Sequence, residues 1–485
     1  MSSPQLVRTI GLWSATTLVI GTVIGANIFM KPATMAAQLP SPYMIIIVWV
    51  VAGIVSMFGA MAFAELGAMF PETGGQYVYL RYAYNDFIAY LYGWGTMAVV
   101  NTASIAAIGF VFASYAGYFI PLPHFSVATE QSFVLHIPLL GDIFPLQNFG
   151  VKSLAILMIL FLTMVNYVSV RSSNAIQFIA TVLKVAVILL LVVGILFSGK
   201  GDASNFLINS PDFNLSGWKL LGAFMAATTG AFAAYDGWNG VNMVAGEIKN
   251  PQRNITRSLI VGLWVCIIVY VVVTLSYMYV LPIDTIAKSK LVASDAIDVV
   301  LGGVGGGIIA GLIVVSTFGG TNANLLANAR VIFAMGETKS FFPGVAKVHP
   351  KFKTPGNSVL ILGIWSSVLV LSGSFDLLSD MFIFVSWVFY GLVILGLFIL
   401  RKKMPDAERP YKAWGYPVIP LIFLLFTAVY IITTLYNDIN NYVQGKSPII
   451  NSIFGLILTA IGIPLYFYFK KKNKKEAALN SKDDA

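Results

Sequence analysis

Twelve runs of roughly twenty apolar residues, parted by short polar links, leave this chain few ways to fold. A run of that length crosses the ~30 Å hydrocarbon core of a bilayer as a helix, a form that satisfies its own backbone groups without water. The runs fall at about 11–38, 43–70, 86–119, 152–170, 174–198, 218–246, 258–281, 303–334, 357–373, 380–400, 416–436 and 449–469, numbered here as spans 1 to 12. Hydrophobic residues make up 58% of the 485 and charged residues only 11%, against about 25% charged in a soluble domain. No water-soluble fold hides that much apolar surface. The expectation is one all-α membrane domain over 1–470, with a polar tail at 471–485 that has too few apolar residues to fold alone. The longest links, 120–151 and 199–217, hold no evident soluble domain. Span 1 is too long and too rich in glycine for a cleaved signal peptide and is expected to stay in the chain.

The net charge of +9 suits a nucleic-acid binder until its distribution is read. One side of the alternating links receives Arg8, Arg81, Arg171, Lys249, Arg253, Arg257, Arg330 and the Lys and Arg residues of 339–353, 401–412 and 470–475. The other receives only Lys152, Lys200, Lys219, Lys288, Lys290 and Lys446. The positive-inside rule then puts both termini in the cytoplasm of a multi-pass cell-membrane protein. The basic excess is a topology signal, and no nucleic-acid partner is expected. The lipid bilayer is an expected partner; the KKKNKK run at 470–475 reads first as part of the topology signal, with contact to anionic lipid as the alternative. No protein partner is indicated. The single cysteine, Cys266, lies in span 7 and excludes an internal disulfide; a small buried thiol is the expected reading.

Two spans carry residues that a plain membrane helix avoids. Span 1 holds Gly21, Gly25, Asn27 and Lys31-Pro32. Glycine costs about 1 kcal/mol against alanine in a helix, and proline removes a donor and clashes with the preceding turn. A break near Gly25 and Asn27 is one reading. Close helix packing is the other, since Gly21 and Gly25 have GxxxG spacing. Span 6 reads Gly230-Ala231-Phe232-Ala233-Ala234-Tyr235-Asp236-Gly237-Trp238-Asn239-Gly240. A charge at mid-membrane costs at least ~2.5 kcal/mol on insertion scales, so Asp236 needs water or a partner. Spans 1 and 6 are corresponding positions of two five-span halves, and five being odd, the second half runs inverted. Paired interruptions of this kind point to a transporter site.

Direction in the membrane assigns the chemistry. Span 1 enters from the cytoplasm, so its outer half starts at the break. Free N–H groups around Ala26, Asn27 and Ile28 attract a carboxylate. The halves that end at the breaks leave carbonyls free, around 21–24 in span 1 and 230–234 in span 6, and these accept from an ammonium group. Donors beside acceptors suit a zwitterion, and an α-amino acid is the obvious one.

Lys184 lies in span 5 about ten residues, or about 15 Å, from the nearer end. A lysine stem of about 6 Å does not snorkel that far. Two roles fit: a fixed cation joining the span 1 and span 8 regions, or a titrating amine that couples transport to protons. A lysine in a wet crevice without function is the plain alternative. Glu65 reads as a gate or a buried structural acid. Lys31 follows the span 1 break. Ser316, Thr317, Asn322 and Asn324 of span 8 face the site or bond between helices. Trp387 and Tyr390 of span 10 form a lid or pack in the core. His124, His136 and His349 all fall in links, and neither a metal cluster, a catalytic triad nor a nucleotide-binding loop is visible. The chain is not expected to be an enzyme or to hold a cofactor, and transport is expected to be secondary.

These residues resemble the amino acid–polyamine–organocation superfamily, in particular bacterial relatives of the L-type amino acid transporters. The resemblance covers nearly the whole chain. It rests on VIGTVIGANIF at 19–29, similar to the family's IGxxIGSGIF, on AELGAMFPETGGQYVYLR at 64–81 and on AYDGWNGVNMVAGEIKNPQRNI at 234–255, with TNANLLANAR at 321–330 and PDAERPYK at 405–412. It implies a LeuT-type five-plus-five inverted repeat, at about 11–198 and 218–400, with two additional helices at 416–469. It implies a substrate carboxylate on Gly25, Ala26 and Asn27. The amino group is then held near Thr22 or Ile24 and by Phe232, Ala233 and Ala234, with Tyr235 and Asp236 beside them. Lys184 matches a lysine near the place where sodium-coupled relatives hold an ion, so sodium dependence is not expected. Phe232, Trp387 and Tyr390 are the candidate gate. Asn27 departs from the family's Gly-Ser-Gly, and Ala233 stands where many relatives carry an aromatic gate. The favoured function is alternating-access transport of neutral L-amino acids, by exchange or proton symport. Cationic amino acids or polyamines on the same fold, and a non-transporting sensor or channel, are the alternatives.

Overall fold

The computed structural model describes residue 8 and residues 10–72, 74–168, 170–211 and 213–483, and of 170–182 and 475–483 it describes the backbone. Thr73, the side chains of Arg171 and Lys475, and the last two residues of the expected tail lie outside that description. Each of the twelve expected runs forms helix. Among the described residues, eight helices are long and apolar enough to cross a membrane, and one further pair, Leu12–Val23 with Asn27–Gln38, passes together with a 46° bend. The chain is a multi-pass membrane protein.

Helix ends depart from the apolar runs for physical reasons. Span 7 starts at Pro251, seven residues before its apolar stretch. Pro251 holds the first helical position, where its fixed φ fits and its missing N–H is no loss. Arg253 and Arg257 then occupy helical turns that hydropathy does not count. Span 10 likewise runs Phe375–Lys403 and ends in three basic residues, Arg401, Lys402 and Lys403, which complement a helix C-terminus. The tail expected to lack structure instead continues the helix Gly462–Asp483. Lys, Glu, Ala and Leu are good helix formers, and extending an existing helix avoids the nucleation step.

Span 3 runs Asp86–Ala116 with a π-helical turn at Thr96–Val100. The wider turn changes the carbonyl pairing. Trp365 Nε1 donates to the Ala98 carbonyl at 2.8 Å, and Thr102 Oγ1 donates to that of Met97 at 3.1 Å. The link 120–151 contains the short helix Val127–Ser132 and an antiparallel hairpin, Leu135–Ile137 with Gly141–Ile143. Gly141 has φ +123, and a Cβ there would lie 2.1 Å from the Pro448 carbonyl oxygen, so only glycine fits. In the link 199–217, Asp202 caps the turn Ala203–Phe206 by accepting from Ser204 N at 2.8 Å, which holds its carboxyl below its ordinary range.

The chain clusters into two compact units. The first comprises residues 1–85, 183–313 and 386–441, the second 86–182, 314–385 and 442–485. In the first, span 7 packs along span 2 and along Leu12–Val23, while the helix Gly217–Tyr235 packs on Asn27–Gln38 and span 2. In the second, span 4 (Phe149–Val168), span 3 and span 9 (Gly356–Ser372) pack on one another. A buried polar pair joins spans 4 and 8 there: Asn166 Nδ2 donates to Asn322 Oδ1 at 2.8 Å. The first unit holds both interrupted spans.

Candidate functional site

Span 1 breaks between Val23 and Asn27, where Ile24 is extended with ψ 96. The close-packing reading of its glycines does not hold. A Cβ at Gly21 would meet nothing within 4 Å, and at Gly25 it would meet only the Val23 carbonyl at 3.7 Å. The space beside the break is open. Ile24 N still bonds back to Ile20 O at 2.8 Å, and Phe29 N bonds to Ala26 O at 3.1 Å. The N–H groups of Ala26, Asn27 and Ile28 meet no backbone acceptor among the described residues. They are the orphan donors of a helix start, and they can receive a carboxylate.

Span 6 breaks differently. The helix Gly217–Tyr235 ends, Asp236 turns to ψ 151, and Gly240–Met243 resumes. Gly237 has φ +99, and a Cβ on it would lie 2.8 Å from the Thr22 carbonyl oxygen. Here glycine is demanded twice, by conformation and by the approach of span 1.

The carbonyls expected to hold an ammonium group divide into two sets. Gly21 O accepts from Lys184 Nζ at 3.2 Å. The Tyr270 hydroxyl lies 2.8 Å from both Val23 O and Ala234 O, so its proton ties the two breaks together. Ala233 O accepts from Asn27 Nδ2 at 2.5 Å, and Phe232 O from Asp236 N at 2.9 Å. Thr22 and Ile24 are different. Among the described residues no backbone or side-chain donor is directed at their carbonyls, and the Thr22 hydroxyl turns back to Leu18 O and Val19 O.

The other site candidates are placed as follows. Tyr235 is buried, with its hydroxyl on Trp49 O at 3.0 Å and its ring edge-on to Trp49 and Tyr270. Asp236 Oδ1 accepts from the Tyr390 hydroxyl at 2.5 Å. Phe232 and Trp387 rings meet at 3.8 Å, Trp387 stacks on Phe423 at 5.1 Å, and Tyr430 packs edge-on to Phe232. Tyr390 packs with Trp238 and Phe63. Phe232, Trp387 and Tyr390 thus form a buried aromatic layer over the broken part of span 6. Lys184 sits at the C-terminal end of Leu12–Val23, where a cation is favoured by the helix dipole. Lys31 is fully buried, and a Cβ on Gly230 would lie 3.4 Å from its Cδ.

Glu65 is fully buried and paired with arginine. Arg401 grips it with two nitrogens at 2.9 and 2.6 Å, Ala413 N donates at 2.6 Å, and Arg409 Nε lies 3.4 Å away. Arg409 also donates to the carbonyls of Leu400, Met404, Pro405 and Ala407. The PDAERPYK segment is therefore folded around an acid of span 2.

Sequence reasoning missed Tyr270. The available signal was a phenol in the middle of an apolar span, because a buried tyrosine hydroxyl seeks a partner. Nothing in span 7 named that partner.

The family model described as "Amino acid permease" matches residues 10–462. The serine/threonine exchanger SteT of Bacillus subtilis is 29% identical over 471 residues, 96% of this chain and 98% of that protein. The b(0,+)-type amino acid transporter 1 of Mus musculus is 28% identical over 470 residues, covering 97% and 89%. The large neutral amino acids transporter small subunit 2 of Homo sapiens is 30% identical over 485 residues, covering 97% and 82%.

Proposed function

The chain belongs to the amino acid permease family, and on that premise we propose that it carries neutral L-amino acids across the cell membrane by alternating access, as an exchanger or a proton symporter. The observation that carries this reading is the span 1 break. It presents the N–H groups of Ala26, Asn27 and Ile28 beside the carbonyls of Thr22 and Ile24, which no donor among the described residues meets, donors for a carboxylate next to acceptors for an ammonium. Gly25 lies beside them without a side chain, its N–H on the Tyr270 hydroxyl. In this reading Lys184 takes the place of a bound cation at the end of the first half-helix, and Phe232, Trp387 and Tyr390 cover the site. The relatives named for serine and threonine and for large neutral amino acids support a neutral substrate. The repeats run at about 11–198 and 218–400, with additional helices at 416–469, a cytoplasmic tail at 471–485 and both termini in the cytoplasm. No catalytic step is assigned.

Asp236 is the residue that would favour a cationic substrate or a polyamine. Its Oδ1 is held by Tyr390, which supports the neutral reading. Purified protein in liposomes, offered a panel of labelled amino acids, tests both. Uptake of neutral amino acids that rises with internal amino acid or with a pH gradient is expected. Uptake confined to arginine, lysine or polyamines would replace the substrate class. No uptake under any gradient would leave the sensor or channel reading.

A further inference from the structure

We propose that the Asn27 side-chain amide stands in for the substrate's amino group, and that the site therefore also accepts α-hydroxy carboxylates that lack one. The inference rests on the transport reading above. Asn27 is the first residue of the outer half of span 1. Its Nδ2 crosses to span 6 and donates to Ala233 O at 2.5 Å. Ala233 lies in the last turn of its half-helix and is 2% exposed. A carbonyl in that position has no helical donor of its own. It is one of the acceptors that an incoming ammonium group would otherwise satisfy.

The consequence concerns selectivity. A site whose buried acceptors depend on the three donors of a substrate ammonium group disfavours a hydroxy acid, whose hydroxyl brings one donor, because acceptors are then stranded. Here Ala233 O is paired whether or not the substrate brings an amine. The single O–H of a hydroxy acid then serves one of the Thr22 and Ile24 carbonyls, and the penalty falls on the other. Carboxylate recognition by Ala26 and Ile28 N–H is untouched. Glycine at position 27 would leave Ala233 O bare and restore the full penalty.

The test uses the full-length purified protein and two matched pairs: L-alanine with L-lactate, and L-leucine with L-2-hydroxy-4-methylpentanoate. The half-maximal concentration of each is read from ligand-induced thermal stabilisation and from competition with labelled amino acid uptake. In the wild type the hydroxy acid is expected within about tenfold of its amino acid, and in Asn27→Gly that ratio is expected to widen roughly 5-fold or more. Asn27→Ala, which also lacks a donor, should widen it similarly and serves if the glycine variant does not fold. A tie that only held the two spans together would weaken both members of each pair equally, so a ratio unchanged within about twofold overturns the proposal. So does a wild type that binds no hydroxy acid at a hundredfold excess. Wild-type protein that takes up no amino acid at all would instead overturn the transport reading.

Discussion

Spans 1 and 6 are both interrupted, but the two interruptions do different work. The break in span 1 leaves three N–H groups and two carbonyls with no backbone partner among the described residues, and has room for a Cβ at Gly21 and Gly25. The break in span 6 is fastened: Asn27 and Tyr270 hold its carbonyls, Tyr390 holds Asp236, and Gly237 fits against Thr22 only because it has no side chain. In the proposed function, one break offers polar groups to a ligand. The other positions the first. A pair of glycine-rich interruptions in corresponding spans therefore need not form two equivalent halves of a site.

That asymmetry can be broken most severely at Gly237. Gly237→Ala forces a Cβ onto a positive φ and against the Thr22 carbonyl, and a loss of about 3 kcal/mol with abolished uptake is expected. Thermal unfolding in detergent and liposome uptake measure both; near-wild-type behaviour would mean the span 6 break is not fastened to span 1. Tyr270→Phe strands a carbonyl on each break. A loss of about 2 kcal/mol is expected, read as a lower unfolding temperature. Lys184→Ala removes the cation at Gly21 O, and a roughly tenfold fall in uptake is expected from the loss of a charged hydrogen bond. An unchanged rate and pH dependence would assign Lys184 no part in coupling or site integrity. Gly21→Ala should do least. It adds a methyl to open space in a helix, so stability should stay the same or rise by up to about 1 kcal/mol.

Much of this was legible in the sequence, and the reason is local. Apolar runs mark spans because bilayer thickness fixes their length. Gly25, Asn27, Asp236 and Gly237 mark breaks because each is out of place in a membrane helix. The choice between a break and close packing at Gly21 and Gly25 needed neighbours that no local pattern names. The same holds for the partners of the polar groups. Nothing near Glu65 points to Arg401 or Arg409, and nothing near Asp236 points to Tyr390, because these pairs join spans far apart in the chain. The start of span 7 at Pro251 and the helical tail to Asp483 escaped for another reason. Both are polar stretches that prolong an apolar helix, and hydropathy registers only the apolar part of a helix.

The most direct measurement of the central claim is uptake of labelled L-serine into liposomes carrying the purified protein, in competition with unlabelled L-serine or its carboxamide. If the open donors of span 1 receive the substrate carboxylate, serine enters and competes, and the carboxamide does neither at comparable concentration. Equal competition by the carboxamide, or no serine uptake with internal amino acid or a proton gradient present, would contradict it.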